Sequence, residues 1–192
     1  MNPPRRIALF GGTFDPIHLG HVEIARRARE LLDLDEVRFL PCHTSPHKTG
    51  MTSAPAADRL EMVRIATRGL PWATLDDFDL VRPGPAYSFE TAEEMARRFP
   101  GAGLFWLMGA DQWRALPRWK EPERLAERVE FIVFARDGAP EPHPEWHMHC
   151  LAGSHPASAT AIRNSLAAEG PRHRWLDPAV ADYIRSRRLY GT

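Results

Sequence analysis

Short, continuously apolar runs alternate along this chain with stretches whose apolar residues recur at helical spacing. Ile7-Ala8-Leu9-Phe10 is stopped by Gly11-Gly12 and predicts a strand buried on both faces, as in parallel sheets. Val22, Ala25 and Leu32 then mark an amphipathic helix from about Leu19 to Leu32. Val37 to Leu40 is a second strand. Pro41 to Pro55, rich in proline, histidine, threonine and glycine, is loop. Asp58 to Arg68 is helical through Leu60, Val63 and Ile65, and Ala73 to Leu75 is a third strand. Asp76 to Pro85 carries no clear period, and Tyr87 to Phe99 is helical. Leu104 to Met108 is a strongly apolar strand ending at Gly109. There follow a short helix at Glu121 to Glu127, a strand at Val129 to Phe134, a proline-rich loop at Asp137 to Pro144 and a strand at His147 to Leu151. Helices near Ala159 to Ala168 and Pro178 to Arg187 close the chain.

Strands alternating with helices predict a three-layer α/β fold with a mostly parallel sheet. In such folds ligands bind beyond the carboxyl ends of the strands. The chemistry is therefore expected just after Phe10, Leu40, Met108 and the strand near Leu151. The 192 residues suit one domain spanning the chain, and no internal repeat, low-complexity tract or dividing linker interrupts them.

Charge narrows the partners. Twenty-five basic residues balance 25 acidic ones. With no overall basic field, neither a nucleic acid nor an acidic membrane gains support, and any anionic ligand must be caught by a few aimed groups. Two cysteines, Cys42 and Cys150, are too few for a disulfide framework. No signal core and no stretch of membrane-spanning length is present, so a soluble, cytoplasmic protein is expected. His147-Met148-His149-Cys150 invites a metal reading. On a strand, however, His147 and His149 face one way and Cys150 the other, and no matching cluster stands elsewhere, so an ordinary strand without a metal site is expected.

The segment after the first strand carries chemistry. It reads Gly11-Gly12-Thr13-Phe14-Asp15-Pro16-Ile17-His18-Leu19-Gly20-His21. The two glycines let a ligand approach the backbone, and Pro16 stiffens the turn. A helix starting near Leu19 would offer free N–H groups to an anion. His18 and His21, three apart, would share one face of its first turn, with Gly20 leaving room between them. Two imidazoles there can donate to a phosphate and stabilise developing charge. This is neither the dinucleotide fingerprint nor a Walker loop.

Gly11 to His21 resembles the signature of the H-x-G-H nucleotidyltransferase superfamily. That resemblance implies a Rossmann-like sheet, with His18 and His21 on the nucleotide phosphates. The superfamily's second motif, Ile-Ser-Ser-Thr-x-Ile-Arg, is matched by Ala157-Ser158-Ala159-Thr160-Ala161-Ile162-Arg163, with alanine at two positions. It implies ATP contacts from Ser158, Thr160 and Arg163, added to Gly11, Gly12, Thr13 and Phe14. Between the motifs the chain resembles the bacterial nicotinate mononucleotide adenylyltransferases. The carriers are Pro46-His47-Lys48, Pro85-Ala86-Tyr87-Ser88 with Thr91, Gly109-Ala110-Asp111 and Leu116-Pro117-Arg118-Trp119, and the Leu189-Tyr190 ending extends the likeness to nearly the whole chain.

The resemblance implies that nicotinic acid mononucleotide is the acceptor and ATP the donor, with deamido-NAD and pyrophosphate as products. Lys48, Tyr87, Ser88, Thr91, Gly109, Asp111 and Trp119 become acceptor-site candidates. Trp119 offers a flat face to a pyridine ring, Asp111 can accept from ribose hydroxyls, and Lys48 suits a phosphate. Mg²⁺ would arrive with ATP rather than sit in a protein cage. The alternatives are the same chemistry on nicotinamide mononucleotide or phosphopantetheine, or a nucleotide-binding protein without turnover.

Overall fold

A computed structural model describes residues 3–42, 54–82, 84–136, 138–169 and 173–192. In chain order the elements are β1 (Arg6–Gly12), α1 (Leu19–Leu32), β2 (Glu36–Pro41), α2 (Ala56–Ala66), β3 (Ala73–Leu75), α3 (Phe78–Val81), α4 (Ser88–Arg98) and β4 (Gly103–Gly109). They continue with α5 (Ala110–Ala115), a 3-10 turn (Leu116–Arg118), α6 (Pro122–Ala126), β5 (Glu130–Ala135), β6 (Met148–Ala152), α7 (Ala159–Glu169), α8 (Pro178–Ser186) and a second 3-10 turn (Leu189–Gly191).

The six strands form one sheet in the order β3-β2-β1-β4-β5-β6. Every pairing is parallel, which sharpens the expected "mostly parallel". Alternate residues of β1 feed two separate cores. Ala8 and Phe10 join one with residues of α1, α2, α7 and α8, while Ile7 and Leu9 join the other with residues of α4, α5 and α6. A strand covered on both faces must be apolar throughout, which is why its run was readable. From β1 the chain builds outward through β2 and β3, then returns to place β4 on the other side. Loops leaving β1 and β4 therefore diverge, and a crevice opens at their carboxyl ends.

Local signals set the helix ends. Asp177 caps α8, its Oδ1 accepting from the N–H groups of Ala179 at 2.8 Å and Val180 at 3.4 Å, and Pro178 occupies the first helical position. α8 is tied to α2 through Asp58, which accepts from the Tyr183 hydroxyl at 2.8 Å and from Arg187 Nε at 2.9 Å. The short α3 and α5 were absent from the sequence reading.

Candidate active site

The loop after β1 is held from three remote directions. Arg59 of α2, buried at 1% exposure, donates from Nη1 to the carbonyls of Thr13 and Cys42, both at 2.7 Å. Asp15 Oδ1 accepts from the Tyr190 hydroxyl at 2.7 Å and the Ala54 N–H at 3.0 Å. From α7, Arg163 Nη1 donates to the Asp15 carbonyl at 2.6 Å. The Tyr190 hydroxyl, buried against Asp15, is pushed well above the usual phenol pKa. Phe14 sits at φ 48°, a left-handed conformation costing about 1–2 kcal/mol for a residue with a side chain. Its ring is buried edge-on to Phe10 at 5.5 Å and to His21 at 5.2 Å, and this packing holds the strained backbone.

What crowds the glycines in the structure is the chain's own side chains. A Cβ on Gly11 would lie 3.1 Å from the Trp106 ring, and one on Gly12 3.0 Å from Phe14. At Gly20 it would meet His155 Nδ1 at 2.7 Å and His18 Nδ1 at 3.0 Å. Gly20 thus leaves room for His155 and His18, where it had been expected to leave room between His18 and His21.

His18 is the N-cap of α1 rather than a member of its first turn, and His21 is the third residue inside. Their rings stack at 3.7 Å with planes 21° apart. His21 Nδ1 accepts from the His18 N–H at 3.2 Å, so the neutral ring carries its proton on Nε2, a donor. His18 Nδ1 is buried with no hydrogen-bond partner among the described residues. Burial, then the nearby His155, Arg136 and His173, push its pKa down to about 4, so the ring is neutral at pH 7. Of the N–H groups expected to be open at the α1 start, two are taken. Leu19 donates to the Trp175 carbonyl at 2.8 Å and His21 turns back to the His18 carbonyl at 2.9 Å. The histidine side chains, more than the helix end, are what α1 presents.

These residues line a cleft of about 1330 Å³. Single-ligand pockets run to roughly 1,000 Å³, so this one has room for two nucleotides. On its walls lie Gly11, Gly12, Thr13, Phe14, His18, His21, Ser158 and Arg163 from the expected donor site, and Tyr87, Ser88, Gly109, Asp111 and Trp119 from the expected acceptor site. Asp111 projects outward and pairs with Arg114. Lys120 Nζ stands 4.3 Å over the Tyr87 ring.

Two expected contacts are displaced. Thr91 is fully buried outside the cleft lining, its hydroxyl donating to Asp79 Oδ1 at 2.6 Å. Thr160 lies on the exposed side of α7 outside the cleft lining, and its hydroxyl meets Arg163 Nη2 at 3.4 Å. Lys48, with Pro46 and His47, falls outside the described residues. Asp79 also borders the cleft, and burial pushes its carboxyl pKa up to about 6 against the Thr91 hydrogen bond.

Sequence reading passed over Arg136 and His155, both on the cleft wall. Arg136 directly follows β5, where the rule on strand carboxyl ends applied equally. His155 stands three residues before Ser158 and had no periodic signal. His147 and His149, for which no matching group was expected elsewhere, both meet the carboxylate of Glu130, a residue of β5.

Comparison with known proteins follows the same lines. A family model described as cytidylyltransferase-like matches residues 9–165. A Thermus thermophilus protein named as a probable nicotinate-nucleotide adenylyltransferase is 41% identical over 186 residues, covering 96% of this chain and 99% of its own. A Neisseria meningitidis protein of the same name is 38% identical over 200 residues, covering 97% and 98%. Among solved structures, Plasmodium falciparum nicotinic acid mononucleotide adenylyltransferase complexed with NaAD superposes with a TM-score of 0.81 at 18% identity, over 97% of each chain. That likeness speaks for the fold alone.

Proposed function

Since this chain belongs to the cytidylyltransferase-like family, and within it to the nicotinate-nucleotide adenylyltransferases, we propose how its cleft joins ATP to nicotinic acid mononucleotide. The products are deamido-NAD and pyrophosphate. The observation that carries the mechanism is the Arg163 hydrogen bond to Asp15, which seats the second motif on the loop leading to His18 and His21.

An oxygen of the acceptor's phosphate attacks the α-phosphorus of ATP, a new P–O bond forms, and the bond to pyrophosphate breaks. A phosphate monoester has its second pKa near 6 and is mostly dianionic at neutral pH, so no general base is required. Catalysis then consists of aligning two anions and stabilising charge on the transferring group. His21 donates from Nε2, His18 from its partnerless edge, and Arg163 with its planar fork. The backbone from Gly12 to Phe14 lies close against the chain of phosphates. Arg136 and His155, near His18 on the cleft lining, add charge and a donor.

ATP enters with a divalent cation. We take it to be Mg²⁺, carried on phosphate oxygens and water. On the acceptor side, Trp119 stacks on the pyridine ring, Asp111 receives ribose hydroxyls, and Tyr87 with Ser88 faces the ring carboxylate at the start of α4. A cytoplasmic location fits a reaction fed by ATP, and we treat residues 1–192 as one nucleotidyltransferase domain.

The direct test offers ATP and Mg²⁺ with nicotinic acid mononucleotide, nicotinamide mononucleotide or phosphopantetheine and measures pyrophosphate. Release is expected to be fastest with the acid mononucleotide. Preference for either other acceptor would overturn the acceptor assignment, and no release with any would overturn the activity.

A further inference from the structure

At the amino ends of β5 and β6, away from the cleft, three metal-ligating side chains converge. Glu130 opens β5, and His147 and His149 lie one residue before and one after Met148, the first residue of β6. Phe131 pairs with Met148 and Ile132 with His149, which sets Glu130 abreast of His147. Strand alternation turns all three side chains to one face. His147 Nδ1 lies 2.9 Å from Glu130 Oε2, and His149 Nε2 lies 2.6 Å from the same oxygen. One donor atom from each residue falls within 4.8 Å of the others. Among the described residues this is the only such group of three. The cleft residues Arg136 and His155 follow the opposite, carboxyl ends of these strands. A six-residue strand spans about 20 Å, and none of the three residues lines the cleft, although Trp146, next to His147, does.

We propose that Glu130, His147 and His149 bind one divalent transition-metal ion of the Zn²⁺ type, with water completing the coordination, and so pin the edge strand β6 to β5. The donor set decides the class of ion. Two imidazoles and one carboxylate suit Zn²⁺, Co²⁺ or Ni²⁺, whereas Mg²⁺ takes oxygen ligands and gives up water reluctantly. The site is therefore separate from the cation that travels with ATP. Geometry allows it. Zinc bonds of about 2.0–2.2 Å in a tetrahedron hold donor atoms roughly 3.3 Å apart. The two hydrogen-bonded contacts open by about 0.4–0.7 Å, and the two imidazole donors, within 4.8 Å of each other, close by up to about 1.5 Å. The freedom is there, because the His147 side chain is 70% exposed and that of Glu130 45%, while His149 is held at 25% with its ring 6.0 Å from that of Phe105. β6 ends the sheet, so a bond across β5 and β6 stabilises the strand with pairing on one side only.

The test uses the full chain, untagged and stripped with EDTA, titrated with ZnCl₂ in equilibrium dialysis with metal analysis and followed by thermal melting. Other histidines and cysteines can take zinc, so wild type is compared with His147→Ala, Glu130→Gln and His149→Asn. One equivalent per chain is expected to be lost, or weakened at least tenfold, in each variant. Zinc should raise the melting temperature of wild type and not of the variants. Pyrophosphate release with ATP and Mg²⁺ should be the same within twofold for stripped wild type and for His147→Ala. His147→Ala is the decisive variant, because its exposed side chain leaves the core untouched. Wild-type zinc stoichiometry and affinity in His147→Ala would overturn the proposal, as would an absence of zinc binding by the wild-type chain.

Discussion

Arg163 donates a 2.6 Å hydrogen bond to the carbonyl of Asp15, a residue 148 positions earlier in the chain. The same guanidinium stands 3.9 Å from the Asp15 carboxylate. One side chain thus joins α7 to the loop after β1 and borders the cleft. Removing it should affect both fold and chemistry. Arg163→Ala is expected to lower kcat/KM by about 10²–10³-fold, the usual loss for one charge-stabilising donor. Arg163→Lys keeps the charge but loses the planar fork, and should fall between the two. Pyrophosphate release across the three proteins, with thermal melts to separate loop loosening from lost catalysis, checks this.

Gly20 offers a test through volume alone. An added methyl would press on the His155 and His18 imidazoles at 2.7 and 3.0 Å. Gly20→Ala should therefore cut kcat at least tenfold by parting the histidines, while the helix itself gains intrinsic propensity. Gly103→Ala, whose nearest neighbour would be Phe105 at an ordinary 3.8 Å, should leave kcat within twofold. Steady-state rates of the two variants decide it.

Two buried groups should give opposing pH dependences of stability. His18 has a folded pKa of about 4, below its ordinary value of 6.5. Its contribution is present above about 6.5 and is lost as pH falls towards 4, on the order of 3 kcal/mol in all. Asp79 has a folded pKa of about 6, above its ordinary 3.8. The folded state therefore binds the proton more tightly, and stability falls as pH rises from about 4 to 6, by a similar amount. In wild type the two largely cancel. Asp79→Asn should make stability rise with pH across this range, and His18→Gln should make it fall. Urea unfolding at pH 4.5, 5.5 and 6.5 gives both slopes.

The supports of the first loop should separate by magnitude. Arg59→Leu leaves the Thr13, Cys42 and Ala54 carbonyls without their guanidinium donor and should cost at least about 3 kcal/mol. Tyr190→Phe removes one hydroxyl from Asp15 and should cost about 1 kcal/mol. Chemical denaturation of the two variants, with activity assayed below the transition, measures each.

Legibility in the sequence followed burial. Ile7 to Phe10 could be read as a strand because both its faces are covered, and the same holds for Leu104 to Met108. α5, from Ala110 to Ala115, is too short for a period to show against the polar residues around it. The two end motifs were visible as text, but their contact is a product of topology, since α7 reaches Asp15 only once β6 has taken its place at the sheet edge. Thr91 shows the opposite case. It shares the buried face of α4 with Phe89, Ala92 and Met95, so the hydroxyl read as an acceptor contact faces the core, a placement that its helical spacing with those apolar residues could have signalled. Glu130 needed the register between β5 and β6, which neither strand carries by itself.

The stacked pair at the start of α1 is where binding and catalysis can be told apart. His21 Nε2 is taken to act on charge that develops at the transferring phosphoryl group, and hardly on the pyridine nucleotide at rest. The decisive measurement is kcat for His21→Ala alongside its dissociation constant for nicotinic acid mononucleotide. A fall in kcat of about 10²–10³-fold with affinity kept within about threefold is expected. Equal losses in turnover and in affinity would contradict a transition-state role for the pair.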